Sequence, residues 1–183
     1  MIVTRATPAD LEVLLHFREE ASGWLRALGI DQWSKPYPPE LMLASIAADN
    51  VFLFSEKGRT VATVTLDQED LEPGAWTEDE LQEPALYVHK LTVFREASGR
   101  NLGGRILDWA GDRAARSGAQ WLRLDAWTSN PMLQDYYLRQ GFRHVRTVTE
   151  GSAVNGGARV SGWLAQRPAV RTAHGLDDRS GAA

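Results

Sequence analysis

The chain has no cysteine, and this absence removes several kinds of chemistry at once. Without a thiol there can be no disulfide bond, no thiolate nucleophile and no thiolate metal site. Long apolar runs are also missing, since no stretch approaches the roughly 20 residues that cross a bilayer. The first residues show no basic segment followed by an apolar one, as a signal peptide would. We therefore expect a cytoplasmic protein that does not insert into membranes.

Positive charge is in the minority, with 20 Lys and Arg against 24 Asp and Glu and a net charge of −4. A nucleic-acid-binding domain usually carries a basic face, so this balance argues against such a partner. The four histidines show no spacing with carboxylates that would form a metal site, and we predict none. Since 43% of the residues are hydrophobic, the 183 residues suffice for one domain with a core.

The hydrophobic pattern predicts a single α+β domain over residues 1–167. In chain order we expect a strand, two helices, three strands, a helix, a strand, a helix and two strands. Lys57-Gly58 is typical of a hairpin turn between the second and third strands. The expected architecture is a mixed sheet of about seven strands flanked by about four to five helices. Residues 168–183 are small, polar and aperiodic, and we predict a disordered tail there.

A glycine-containing junction joins an apolar strand to a helix at SGRNLGG, residues 98–104. The start of a helix leaves backbone N–H groups without partners, and glycine lets an anion approach them closely. A phosphate site and a simple connecting turn both fit this pattern. GxxxxGK[ST] is absent, which disfavours a P-loop hydrolase, and the glycines do not follow GxGxxG, which disfavours a dinucleotide fold.

A second motif further along the chain decides between these alternatives. The strand before the junction carries Leu91-Thr92-Val93, the junction reads Ser98-Gly99-Arg100-Asn101-Leu102-Gly103, and the next helix carries Asn130, Tyr137, Gly141 and Phe142. Together, from about Ile2 to Gln166, these features resemble the GNAT superfamily of N-acetyltransferases. Ser98 stands where the motif has a basic or amide residue, and Asn101 where it has glycine. Asn tolerates the left-handed backbone better than most residues, so we expect cofactor binding to be retained.

The resemblance implies a GNAT-like fold that moves an acetyl group from acetyl-CoA to a primary amine by direct attack in a ternary complex. It assigns acetyl-CoA binding to the strand, the junction and the second helix start: Leu91, Thr92, Val93, Gly99, Arg100, Asn101, Leu102, Gly103, Gly104 and Asn130. Asn130 followed by Pro131 is also a favoured helix N-cap pair, and both roles can coexist.

Two side chains are candidates for proton transfer. In the family, the tyrosine at position 137 protonates the leaving thiolate, which a phenol with a pKa of about 10 can do. His89 lies two residues before Leu91 on the same strand face. An unperturbed imidazole has a pKa of about 6.5, which suits a general base. A histidine that merely lines the pocket is an equally good interpretation of His89.

The acceptor side is less specific. Residues 67–84 hold eight acidic residues and no basic one, which fits either a solvated loop or a rim that attracts cationic amines. Trp24, Trp33 and His89 are the predicted substrate contacts, the tryptophans through cation–π interactions. We favour a small cationic substrate, while polyamines, aminoglycoside-like compounds, amino acid derivatives and protein amines remain open. The alternative is a non-catalytic member of the same fold that binds acyl-CoA as a sensor or a structural subunit. A homodimer through the last strands is compatible with the sequence.

Overall fold

The structure is a computed structural model that describes residues 1–70, 74–152 and 157–181. Within these ranges there are ten strands and five helices. The strands are β1 (Ile2–Arg5), β2 (Val51–Glu56), β3 (Arg59–Asp67), β4 (Ala85–Val93), β5 (Trp121–Ala126), β6 (Arg143–Thr147), β7 (Glu150–Ser152), β8 (Gly157–Ala158), β9 (Trp163–Pro168) and β10 (Asp177–Asp178). The helices are α1 (Leu11–Ala27), α2 (Pro39–Ala47), α3 (Glu78–Gln82), α4 (Leu102–Arg116) and α5 (Pro131–Arg139).

Eight strands form one mixed sheet in the order β10-β1-β2-β3-β4-β5-β9-β6, and β7 pairs with β8 separately. The pairs β1–β10 and β4–β5 are parallel, whereas β1–β2, β2–β3, β5–β9 and β6–β9 are antiparallel. The predicted α+β fold with a mixed sheet is therefore confirmed, with eight strands in the sheet where about seven were expected. No described helix is long and apolar enough to cross a membrane.

The chain divides into two compact units. The first contains Met1–Leu66, Lys90–Ile106 and the chain from His174 onward, and the second contains Asp67–His89 and Leu107–Ala173. In the first unit, β2 and β3 are joined by a hairpin whose turn residues, Lys57 and Gly58, have φ angles of 50° and 79°. Two successive positive φ angles are typical of a type I′ turn, as the sequence predicts.

The core of the first unit lies between α1, α2 and the strand β2. It consists of Ala6, Leu14, Met42, Ile46, Val51 and Leu53, with Leu11 and Tyr37 packed against it. The apolar residues of α1 fall at helical spacing, so one face of that helix is buried while the other carries charge. This packing fixes α1 as one wall of the pocket described below.

The C-terminal segment differs from the disordered tail predicted from residue 168. Pro168 is the last residue of β9, and β10 pairs in parallel with β1. The backbone N–H of Arg179 donates to the carbonyl of Val3 at 2.9 Å, and Arg5 Nε donates to the carbonyl of Ser180 at 2.7 Å. This edge of β1 offers free main-chain groups, which can fix a short polar segment that has no apolar pattern of its own. The last two residues of the predicted tail lie outside the described residues.

The second unit is built on the parallel pair β4–β5 and the antiparallel strands β9 and β6. The predicted closing hairpin is confirmed in its strands, since β6 pairs antiparallel with β9, although residues 153–156 of it lie outside the described residues. Its buried cluster contains Ala75, Trp76, Tyr87 and Leu164. Arg123 on β5 is fully buried, and it donates to Gln166 Oε1 at 3.0 Å and to the carbonyl of Glu80 at 2.6 Å.

Candidate active site

The helix α4 begins with three backbone amides that point out of its first turn. The N–H of Arg105 donates to the carbonyl of Asn101 at 3.1 Å, which is the first hydrogen bond of the helix. The N–H groups of Leu102, Gly103 and Gly104 precede it and have no acceptor within the helix. Their partial positive charge makes this end of α4 suited to an anion such as a pyrophosphate.

The backbone before α4 explains why Asn101 can replace the glycine of the motif. Asn101 has a φ angle of 50° and Gly99 one of 78°, so both adopt the left-handed conformation. Asn enters this region at lower cost than most residues with a Cβ atom. A Cβ atom built on Gly99 meets nothing within 4 Å, so the loop is open on that side. The junction therefore contains two left-handed residues, one of which is a glycine.

The charged and polar side chains of the junction are engaged by the chain itself. Arg100 Nη2 donates to Glu56 Oε1 at 2.6 Å, and this hydrogen bond lowers the pKa of Glu56. Ser98 Oγ donates to the carbonyl of Arg95 at 2.7 Å. Arg100 uses Nη2 for this contact, and the predicted phosphate contacts of the junction stay a prediction. The sequence contains no local signal for the pair with Glu56, which lies 44 positions away.

Strand β4 parts from β5 before it ends. Their ladder runs from Ala85–Trp121 to Val88–Leu124, after which Asp125 and Ala126 of β5 continue to pair with β9. Lys90 has a φ angle of 51°, which interrupts the regular extended backbone of β4. Leu91, Thr92 and Val93, the predicted pantetheine contacts, are the last three residues of this strand.

Tyr137 is buried on α5, with 8% of its surface exposed. Its ring packs edge to face against Phe142 and Tyr136, with centroid distances of 5.7 and 5.5 Å. Burial raises the pKa of Tyr137 above its ordinary value, and the nearby Tyr136 and Asp125 raise it further. The phenol is therefore protonated at neutral pH, as a proton donor must be.

Asn130 has the structural role that its sequence position suggests. It is the N-cap of α5, and its Oδ1 accepts a hydrogen bond from the N–H of Leu133 at 3.1 Å. Only 3% of its surface is exposed. A cofactor contact by the same residue stays a prediction.

His89 lies between two carboxylates. Its Nδ1 is 3.5 Å from Asp125 Oδ1, and its Nε2 is 3.7 Å from Asp67 Oδ2. Nε2 is buried and has no hydrogen-bond partner among the residues that the structure describes. The two ring nitrogens of His89 thus each lie near a carboxylate oxygen. Sequence reasoning missed Asp67 and Asp125, although a carboxylate at the end of an apolar strand is a signal that could have indicated them.

In the acidic loop, residues 67–84, two of the described carboxylates are paired with arginines. Arg146 forms a two-point contact with Glu80, whose pKa is lowered to about 2 chiefly by this hydrogen bond. Glu80 also caps α3 together with Thr77, and Glu83 pairs with the buried Arg123. Residues 71–73 of the predicted loop lie outside the described residues. The paired carboxylates mainly hold the loop in place, which the sequence alone did not reveal.

Trp24 and Trp33, the two predicted tryptophan contacts, each form a cation–π interaction with an arginine of the protein itself. The guanidinium of Arg95 lies 5.0 Å from the ring centroid of Trp24, and that of Arg18 lies 4.5 Å from the ring centroid of Trp33. These faces are therefore occupied, so a substrate amine would have to use the opposite face of either ring.

A family model of the acetyltransferase (GNAT) family matches residues 17–142. The chain belongs to the GNAT acetyltransferase family. The resemblance predicted from the glycine junction and the Asn130–Phe142 motif is confirmed, as are the GNAT fold and the class of enzyme, an N-acetyltransferase.

Relatives of this GNAT chain are similar over most of their length. An uncharacterized N-acetyltransferase, YesJ of Bacillus subtilis, is 28% identical over 149 residues, which are 78% of this chain and 81% of the relative. A GNAT-family acetyltransferase of Listeria monocytogenes is 24% identical and superposes with a TM-score of 0.71, covering 91% of this chain and 93% of that one. The PaiA N-acetyltransferase of Thermoplasma acidophilum, solved in complex with coenzyme A, is 15% identical with a TM-score of 0.67, covering 91% and 97%.

Proposed function

We propose that this GNAT protein transfers an acetyl group from acetyl-CoA to the primary amine of a small molecule, by direct attack in a ternary complex. The observation that carries the proposal is the start of α4, where Asn101 accepts the first helical hydrogen bond and leaves the amides of residues 102–104 open. This arrangement fits a pyrophosphate through backbone groups alone, so it does not depend on the basic residue that Ser98 replaces.

Acetyl-CoA would be held by three parts of the chain. The amides of residues 102–104, the loop at Gly99 and Arg100, and the N-cap Asn101 suit the phosphates. The main-chain groups of Leu91, Thr92 and Val93 at the end of β4 suit the amides of the pantetheine arm. Asn130 is assigned the further contact that the family resemblance implies. When bound, acetyl-CoA supplies a thioester whose acetyl group an amine can attack.

His89 and Tyr137 are assigned the two proton movements that the reaction needs. The amine must lose a proton to attack, and we assign this proton to His89, whose ring lies between Asp67 and Asp125 on the predicted cofactor strand. The buried phenol of Tyr137 is protonated at neutral pH and can donate its proton to the departing thiolate.

The amine is proposed to be small and, like an alkylamine in neutral water, cationic before it reacts. In the second unit, Glu80 and Glu83 are paired with arginines. We therefore assign the electrostatic attraction of the cationic amine to the other acidic residues between positions 67 and 84. Of the predicted substrate contacts, His89 is retained as the residue that meets the reacting nitrogen. Trp33 lines a pocket of the first unit, described below, and Trp24 is 41% exposed.

Release of free thiol from acetyl-CoA, measured with a panel of amines, tests this function. The panel should contain amino acids, polyamines, aminoglycosides and short peptides. Wild-type protein should release thiol with at least one class, and His89→Gln should lower kcat by about 10²–10⁴-fold. His144→Gln is the matched control, because this histidine is exposed and contacts Thr147 Oγ1 at 3.0 Å. Tight acetyl-CoA binding without thiol release for any amine would instead support the sensor.

A further inference from the structure

In the first unit, α1, α2, the loop between them and the strands β2, β3 and β4 line a small pocket that is partly open to solvent. Its floor and sides are mainly apolar or hydroxyl-bearing. The lining residues are Leu14, Phe17, Arg18, Trp33, Met42, Val51, Thr63, Thr65, Lys90 and Thr92. Arg18 and Lys90 are the charged residues of this lining, and no carboxylate belongs to it.

Arg18 is half-buried and has no counter-ion among the described residues. No hydrogen bond or ion pair reaches its guanidinium from the described part of the chain, and its Nε is buried without a partner. Partial burial lowers the pKa of Arg18. A partly desolvated guanidinium whose N–H groups lack protein partners gains free energy when an anion binds it. Arg18 therefore carries N–H donors that no described residue of the chain uses.

Aromatic rings hold the two cations in place. The guanidinium of Arg18 lies 4.5 Å from the ring centroid of Trp33 and 4.8 Å from that of Tyr37, and Lys90 Nζ lies 5.2 Å from the same Tyr37 ring. A cation stacked on a ring face keeps its N–H edge free for hydrogen bonds. Two like charges beside one ring repel each other, and a bound anion between them would remove that repulsion.

Two of these residues also have an unfavourable backbone. Trp33 has a φ angle of 63° and Lys90 one of 51°, and a bulky residue rarely adopts the left-handed region. Such conformations persist where the surrounding structure enforces them, and they concentrate at ligand sites. The ring of Trp33 and the side chain of Lys90 are thus placed in this pocket at a conformational cost.

We propose that this pocket binds the carboxylate of the acceptor, so that the substrate is a small amino acid or a similar zwitterionic amine; the inference rests on the proposed acetyl transfer. The planar fork of Arg18 matches the two oxygens of a carboxylate, and Lys90 adds a second charge. Thr63 and Thr65 are nearly buried and can accept or donate further hydrogen bonds. A substrate that carries only positive charge, such as a polyamine, is repelled by the same pair.

The test compares acceptors that differ only in the carboxylate. The L-α-amino acids and their α-carboxamides are assayed for acetylation, and their binding to the protein is measured by calorimetry without acetyl-CoA. Wild-type protein should prefer the carboxylate over its carboxamide by about 10–100-fold in kcat/KM, the usual worth of a charged hydrogen bond. Arg18→Gln and Lys90→Met should each reduce this preference, mainly through KM.

The variant Arg26→Gln is the matched control, since Arg26 is an exposed arginine near the end of the same helix. Loss of packing alone in Arg18→Gln would lower thermal stability and leave the carboxylate-to-carboxamide ratio unchanged, which would overturn the proposal. Equal acetylation of both acceptor forms, or a preference for phosphorylated amines, would overturn it as well. If calorimetry shows the carboxylate preference but no acceptor is acetylated, the proposed acetyl transfer fails while the anion site stands.

Discussion

The substitution Tyr137→Phe removes one oxygen and leaves the ring. In the structure the ring packs against Phe142 and Tyr136, and its hydroxyl makes no hydrogen bond to the described residues. Phenylalanine keeps those ring contacts, so the free energy of unfolding should change by about 1 kcal/mol or less. A change in turnover would then result from the loss of the proton donor and not from a loss of folding stability.

The size of the effect follows from the environment of the phenol. General acids typically contribute about 10²–10⁴-fold. Burial raises the pKa of Tyr137, which makes it a weaker acid toward a thiolate whose own pKa is about 8.5. Water can also replace it in part. We therefore expect kcat to fall by about 10–10³-fold, while the affinity for acetyl-CoA changes little because the lost contact belongs to the transition state.

The pH dependence has a definite sign. A general acid works while it is protonated, so activity is lost as pH rises through its pKa. Since burial moves the pKa of Tyr137 above the usual value of about 10, its titration should cause no loss of kcat between neutral pH and about pH 9. The phenylalanine variant should show a lower kcat with the same profile over this range.

Steady-state kinetics with both substrates saturating, together with calorimetry for acetyl-CoA, measure these quantities. Tyr136→Phe is the matched control, because Tyr136 is the neighbouring tyrosine of α5 and burial raises its pKa to about 12. It should retain nearly full turnover. Wild-type kcat in Tyr137→Phe, with pre-steady-state kinetics showing that chemistry limits the rate, would refute the role of Tyr137.

Three further predictions concern the loop and the fold. Gly103→Val should weaken acetyl-CoA binding by at least about tenfold in calorimetry, because a branched side chain fills the space through which a phosphate approaches. Asn101→Gly keeps the left-handed backbone and should bind acetyl-CoA as wild type does. Equal affinities in all three proteins would contradict the proposed anion site. Arg123→Met should lower the free energy of unfolding by about 3–5 kcal/mol in urea titrations, since it leaves the partners of a fully buried charge unsatisfied, and a loss below about 1 kcal/mol would contradict this. Glu80→Gln should lower the free energy of unfolding at pH 7 by about 1–2 kcal/mol. Because the folded pKa of Glu80 is lowered to about 2, its stabilisation is present above the unfolded pKa near 4.5 and is lost as pH falls toward 2. A difference in unfolding free energy between wild type and variant that does not depend on pH would count against the Arg146 contact.

Features encoded by neighbouring residues could be predicted from the sequence. The hairpin at Lys57 and Gly58 depends on two residues that accept positive φ, and both do so in the structure. The start of α5 at Asn130 follows from a side-chain cap and a proline in the first turn. The glycine junction likewise predicts the open first turn of α4, because helix geometry alone leaves those amides without acceptors.

Pairs that are distant in the chain could not be predicted. The carboxylates beside His89 come from two other strands, and no local pattern says that Asp67 and Asp125 meet its ring. The same holds for Arg18. Its place in the helical pattern of α1 predicts an exposed side chain, whereas its guanidinium lies close to the rings of Trp33 and Tyr37. The pairing of β10 with β1 could not be predicted either, because the two polar residues of β10 show no strand periodicity.

The most direct test of the account is the stoichiometry between thiol released from acetyl-CoA and acetylated amine, with the product identified by mass spectrometry. The account predicts one acetyl group on the amine nitrogen for each thiol released, and very slow thiol release without an amine. Thiol release with no acetylated amine would show hydrolysis of the thioester, and bound acetyl-CoA with neither product would show a sensor. Either result would contradict an N-acetyltransferase that uses His89 as base and Tyr137 as acid.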